Sequence, residues 1–163
     1  MPNFSILYSI QMEKSQKLPQ RERINSRKLI DRLFKGGGSK SMSAFPLRVV
    51  YMIEEVEADS HEPLAKMMVS VPKRYFKRAV KRNRVKRLVR EAYRCNKHLL
   101  VDTLSQAEPR LALSLCFIWT DDSLREYSEV AAKTANLLGR IADKIVKQHI
   151  AETLSAADNA TEQ

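Results

Sequence analysis

The stretch from residue 73 to residue 99 constrains the fold more than any other part of the chain. Val85, Leu88, Val89, Ala92, Asn96 and Leu99 recur at i, i+3, i+4 and i+7, which puts them on one stripe of a helix with about 3.6 residues per turn. On the opposite side Asn83, Arg87, Arg90 and Arg94 follow at helical pitch, with Arg84 flanking on one side and Lys86 on the other. A helix that is apolar along one stripe and cationic along the other must lay the apolar stripe on a core. The cations then face outward.

The charge belongs to this segment and not to the chain at large. Lys73 to Arg94 reads KRYFKRAVKRNRVKRLVREAYR, with eleven Lys or Arg against one acid, Glu91, for a net +10; the whole chain, with 29 basic and 19 acidic residues, is also +10. Everything outside the segment is neutral, 18 bases against 18 acids. Like charges at helical spacing repel, and only Glu91 is near enough along the helix to neutralise the row. A field of one sign concentrated in this way meets a polyanion. Arg forks and Lys point charges hold phosphates, and Asn83 can both donate and accept. Such contacts position a nucleic acid without specifying its sequence.

Upstream, Asn25 or Ser26 caps a short helix whose Leu29, Ile30, Leu33 and Phe34 form one apolar face, with Ile24 and Leu29 placed for a hydrophobic staple if Asn25 is the cap. Gly36, Gly37 and Gly38 stop it. They are not a phosphate loop, since no G-x-x-x-x-G-K-[ST] pattern or preceding strand accompanies them. Phe45 to Ile53 reads as a strand, with a short strand over Ser39 to Ser43 before it. Phe45, Leu47, Val49 and Tyr51 share one face, and Arg48 and Val50 the other. After an acidic connection, Ala65 to Val71 reads as a second strand closing a hairpin with the first. Val101 to Pro109 is the turn out of the basic helix. Leu111 to Trp119 alternates Leu111, Leu113, Leu115, Phe117 and Trp119 with small residues and is the clearest strand in the chain. In the last helix Ser123 and Glu126 match a capping box, and Tyr127, Val130, Thr134, Leu137, Leu138, Ile141 and Ile145 give an apolar face. The expected fold class is α+β, a two-layer sandwich with helices against one mixed sheet, in the order helix, short strand, strand, strand, helix, strand, helix. Residues 1–19 are expected to be a disordered N-terminal extension, 20–149 a single domain and 150–163 a frayed tail.

Little in the chain looks like a protein active site. His61, His98 and His149 are scattered and unpaired with a nucleophile or base. Cys95 and Cys116 have no metal-ligand spacing, and each is expected to be a buried, reduced thiol. Asp121 and Asp122 suit a helix start better than a metal. No segment approaches the roughly 18 apolar residues of a membrane span, and Phe4 to Ile10 lacks the basic flank and cleavage site of a secretory signal. The expectation is a cytoplasmic protein.

The run Arg82-Asn83-Arg84-Val85-Lys86-Arg87-Leu88-Val89-Arg90-Glu91 resembles the RNR signature of the bacterial ribonuclease P protein family. The preceding Val69-Ser70-Val71-Pro72-Lys73-Arg74 resembles that family's strand and turn, with Pro72 as a departure, and Arg23 to Tyr51 its first helix and hairpin; the resemblance covers about residues 20 to 145. It implies a ribosomal protein S5 domain 2-like fold with a left-handed βαβ crossover around the basic helix, against the usual right-handed rule. By the same resemblance the activity is endonucleolytic removal of the 5′ leader of precursor tRNA, with the catalytic centre and its Mg²⁺ in the RNA subunit and no catalytic residue or metal in the protein. The partners it implies are ribonuclease P RNA and precursor tRNA, with no membrane and no obligate protein partner. The RNA-binding set is Lys73, Arg74, Lys81, Arg82, Asn83, Arg84, Lys86, Arg87, Arg90 and Arg94. Phe34, Phe45 and Arg48 would line a cleft for the single-stranded leader. Two aromatics four apart on the first helix are usual in the family, and Ile30 stands where the first would fall. For Phe34, Phe45 and Tyr51 a place in the core remains open.

The alternative is a general RNA-binding or ribosome-associated protein without a role in cleavage. A membrane-surface helix is disfavoured because Val85, Val89 and Ala92 make a weak lipid-facing stripe. A self-sufficient nuclease would need a carboxylate cluster to hold metal.

Overall fold

The computed structural model describes residues 18–161, so the expected disordered extension lies, up to residue 17, outside the described residues. After a 3-10 turn over Gln20–Glu22 come α1 (Arg27–Lys35), β1 (Lys40–Ala44), β2 (Leu47–Glu55), β3 (Ala65–Ser70), α2 (Ala79–Asn96), α3 (His98–Ser105), β4 (Leu111–Trp119) and α4 (Tyr127–Thr161). The four strands form one sheet in the order β1-β2-β4-β3. Pairings β1 with β2 and β2 with β4 are antiparallel, and β3 with β4 is parallel, so the sheet is mixed as expected.

The expected hairpin between the second and third strands is not formed, because β4 lies between them. Burial explains the insertion. Leu113 to Phe117 of β4 are all buried, on both faces, and a strand apolar on both sides belongs in the middle of a covered sheet. The tight hairpin is instead β1 to β2, closed at Ala44↔Leu47 by a turn at Phe45 and Pro46. Phe45 therefore leaves the strand.

Register sorts the side chains into two clusters. Val49 and Val69 both lie opposite Phe117, and Tyr51 and Met67 both lie opposite Leu115. These pack with Val85, Val89, Ala92 and Tyr93 of α2, Leu100 and Leu104 of α3, and Val130, Leu137, Leu138 and Ile141 of α4. Each Val, Leu, Ile, Met or Phe among them contributes about 1.5–3 kcal/mol of transfer free energy when buried. On the other face Val50, Met52 and Cys116 meet Ile24 and Leu33. The helices thus do not all cover one face: α1 lies on the second.

Helix boundaries follow local chemistry. Of the two cap candidates it is Ser26 whose side chain accepts from the Leu29 N–H, at 3.4 Å, and Gly36 ends α1 with its N–H on the Arg32 carbonyl at 2.9 Å. Gly37, at φ 74°, takes the left-handed turn that other residues resist. The basic helix stops at Asn96, so Leu99 is 38% exposed, while Leu100 and Leu104 enter the core from α3. The expected turn over Val101 to Pro109 is thus largely helix. The break falls at Lys97, whose buried ammonium meets Glu22 at 2.8 Å. The capping box at Ser123 is not formed. Ser123 bonds the Asp122 carboxylate at 3.3 Å, Asp121 pairs with Arg125 at 2.6 Å, and the helix begins only at Tyr127. At the other end α4 runs to Thr161 where a frayed tail was expected, with Ala151 to Thr161 exposed. No Gly or Pro follows Gly139, and Ala, Leu and Glu sustain a helix locally.

Candidate nucleic-acid interface

The cationic face of α2 is set by the turn before it. Val71 and Phe76 are buried and anchor residues 71–78 on the core, while the Tyr75 N–H reaches the Pro72 carbonyl at 3.1 Å and closes a turn. Pro72, the departure from the family pattern, thus opens an ordered turn. Lys73 and Arg74 stand exposed on it, the Arg74 guanidinium 4.9 Å over the Tyr75 ring. Arg78 precedes the helix without a side-chain cap. Arg82, one turn inside, instead ties the helix to the turn before it: its Nη1 donates to the carbonyls of Phe76 and Lys77 at 2.8 and 2.7 Å. The first Arg of the signature is therefore spent on the fold.

At the far end, Arg94 is paired with Glu91 at 2.6 Å, so the row is not unpaired throughout as the spacing alone implies. This bond lowers the pKa of Glu91 and raises that of Arg94. Between these ends Arg84, Lys86, Arg87 and Arg90, and Lys81 just before them, have no ion-pair partner among the described residues. Asn83, Arg84 and Arg87 are exposed, while Lys86 and Arg90 are half-buried. The Arg90 pKa is lowered, first by burial and then by the charges of Arg23 and Arg87. The two smaller causes place Arg23 and Arg87 close enough for their charges to act on Arg90.

Arg23 was not among the candidates. The segment before α1 runs beside β3, through an Arg23↔Met67 bridge and an Ile24 N–H to Met67 carbonyl bond of 2.9 Å, and this brings Arg23 to a shallow site lined also by Leu18, Arg87, Arg90 and Arg94. Glu91 lines it too and is taken up by Arg94, which leaves the guanidiniums of Arg23, Arg87 and Arg90, from two elements and with no ion-pair partner among the described residues, in a geometry suited to a phosphate. On the other flank Asn83, Arg84 and Arg87 border an apolar groove with Val80, Leu88 and Tyr127 from the start of α4. Arg23 carried no sequence signal because it is distant in the chain; Tyr127 was read as core, yet it is 39% exposed.

The proposed leader-cleft residues come from α1, the β1–β2 turn and β2. Arg48 lies on the α1 side of the sheet, beside Ser43 and Ile118 in register, and Phe34 is 47% exposed at the end of α1. Phe45, in the turn and 56% exposed, is covered by the Arg125 guanidinium at 5.1 Å from its ring. Tyr51 is core, and Ile30 packs against the second cluster. Cys116 is buried as expected, but Cys95 is only partly so, its sulfur beside Glu91 and Arg94.

Among the described residues no group of three or more His, Cys, Asp or Glu is arranged to hold a metal ion. No helix among them is long and apolar enough to cross a membrane.

Known proteins resemble this chain over most of its length. A family model described as Ribonuclease P matches residues 18–141. The ribonuclease P protein component of Porphyromonas gingivalis is 41% identical over 134 residues, 82% of this chain and 88% of the relative. That of Chlorobaculum tepidum is 34% identical over 93 residues, 57% of this chain and 59% of the relative. In fold, the RNase P protein from Thermotoga maritima superposes with a TM-score of 0.55 at 22% identity, over 73% of this chain and 96% of that one. A Staphylococcus aureus RNase P protein mutant with defective mRNA degradation activity gives 0.52 at 20% identity, over 85% and 97%.

Proposed function

Because the chain belongs to the ribonuclease P protein family, we propose that it binds the catalytic RNA of ribonuclease P and the 5′ leader of precursor tRNA, and assists endonucleolytic removal of that leader. The observation that carries this reading is the run of like-charged side chains on α2, Arg84, Arg87 and Arg90, joined by Arg23 and lacking ion-pair partners among the described residues. Two polyanions, catalyst and substrate, must approach each other, and a protein that neutralises phosphates lowers that repulsion while holding both in place. Asn83, Lys81 and Lys86 extend the same surface, Lys73 and Arg74 continue it onto the turn, and Arg82 and Arg94 hold its two ends in shape. Phe34 and Arg48 on the α1 side would meet the leader, with Phe45 presented at the end of the sheet.

Cleavage chemistry in this reading belongs to the RNA and to Mg²⁺ held by it. The described residues do not fit a metal site of their own, and no step is assigned to a protein-bound ion. The S5 domain 2-like architecture, the left-handed β3-α2-β4 crossover and a cytoplasmic location belong to the same proposal.

The test is cleavage of a precursor tRNA by a bacterial ribonuclease P RNA at low Mg²⁺, with and without this protein. Strong stimulation, with no cleavage by protein alone, is expected. Binding to that RNA without stimulation would return the protein to general RNA binding.

A further inference from the structure

A cavity of about 190 Å³ lies where the start of β1 and the ends of the β2–β4 pair meet the second half of α4, against the roughly 10–15 Å³ that one water needs. Its inner side is apolar and at least half-buried, from Ile53, Leu111 and Ile145. Its rim is acidic and exposed, from Glu55, Glu108 and Glu152. Among the described residues neither Glu55 nor Glu108 has an ion-pair partner, and Glu152 accepts a bond from Gln148 at 3.1 Å. Among the described residues Lys40 is the one formal positive charge on the lining. Tyr51, 1% exposed, also lines the cavity, and its hydroxyl is buried without a hydrogen-bond partner. A buried hydroxyl in that condition asks for a ligand.

The sign of this site is opposite to that of the chain, which carries +10. It is also remote from the cationic face, since Ile145 lies roughly 27 Å along α4 from Tyr127 at 1.5 Å per residue. Ile145, His149 and Glu152 fall beyond the residues matched by the family model, 18–141.

We propose that this cavity binds a small aliphatic diamine or polyamine. Its ammonium groups meet the rim carboxylates and the Tyr51 hydroxyl, and its methylene stem lies on Ile53, Leu111 and Ile145. A bare metal ion fits less well, because no three His, Cys, Asp or Glu among the described residues converge. The apolar wall gives an alkyl chain a place that hydrated cations do not use.

The experiment is an NMR amide titration of the full chain with 1,5-diaminopentane and, separately, with the neutral 1,5-pentanediol. Saturable shifts confined to residues around the cavity are expected with the diamine and absent with the diol. Glu55→Gln with Glu108→Gln, both at exposed positions whose spectra report an intact fold, weakens binding by about tenfold. Tyr51→Phe weakens it by a few fold, and Arg87→Ala leaves it unchanged. Shifts that never saturate at millimolar diamine, shifts spread over the acidic surface, equal binding of the diol, or a Gln variant that binds as wild type would each overturn the proposal.

Discussion

Arg82 and Arg87 sit five residues apart in one signature, in different surroundings. The Arg82 guanidinium donates to two backbone carbonyls, at 2.8 and 2.7 Å, just ahead of a helix whose N-cap residue makes no side-chain cap bond. Hydrogen bonds from a charged donor are worth about 1.5–3 kcal/mol net, and Arg82 is half-buried and uses one nitrogen for both, so Arg82→Ala is expected to cost about 2 kcal/mol in all. For a chain of this size that is a fall in Tm of about 4–8 °C. Arg87→Ala removes an exposed cation with no ion-pair partner among the described residues, so its Tm should stay within about 1 °C. Binding separates them in the other direction. Arg87→Ala should flatten the dependence of log affinity for ribonuclease P RNA on log salt by about 0.7–0.9, one lost phosphate contact, while Arg82→Ala should leave the slope nearly unchanged. Thermal denaturation by circular dichroism and filter binding across a potassium chloride series read the two quantities on the same preparations. An Arg82→Ala protein that melts like wild type but loses a full contact from its salt slope would refute the division of labour.

Lys97→Met leaves the partly buried Glu22 carboxylate without the ammonium 2.8 Å away and should cost about 3 kcal/mol by urea denaturation; a loss below 1 kcal/mol would show that the pair does not fasten the N-terminal segment. Gly36→Ala would bring a Cβ within 2.5 Å of the Arg32 carbonyl oxygen, whereas nothing lies within 4 Å at Gly38, so the first should cost about 2 kcal/mol and Gly38→Ala less than about 0.5. Burial pushes the Cys116 thiol up to about 12. The stability this group contributes is therefore present below the unfolded thiol pKa of about 8.5 and is lost as pH rises from there toward the folded value. Iodoacetamide at pH 8 should label Cys95 and spare Cys116, as peptide mapping would read.

Periodicity was a good guide where burial is one-sided. The 3.6-residue stripe of Val85, Val89 and Ala92 is buried on α2, and the alternation of Leu113, Leu115 and Phe117 marked the strand that organises the sheet. Pairing order was not legible, because β3 and β4 are joined across two helices and nothing in their own residues states which neighbour they choose. Leu99 followed the stripe on paper and left it in space, since the Lys97 to Glu22 pair depends on a residue 75 positions away. The cationic face had the same limit. Composition located the charge, but only the fold reveals that Arg82 is consumed by its own turn, that Arg94 is held by Glu91, and that Arg23 joins Arg87 and Arg90 from the far end of the domain. Phe45 was assigned to a strand face because its neighbours alternate; the turn takes it out.

The central claim is that Arg84, Arg87 and Arg90 couple this protein to the catalytic RNA. Its most direct test is precursor tRNA cleavage by ribonuclease P RNA at low Mg²⁺, with protein titrated as wild type and as the triple variant Arg84→Ala/Arg87→Ala/Arg90→Ala. The account predicts that the variant, folded by circular dichroism, needs far more protein for half-maximal stimulation and binds the RNA with a salt slope lower by about 2–3. Full stimulation at the wild-type protein concentration, with the slope unchanged, would contradict it.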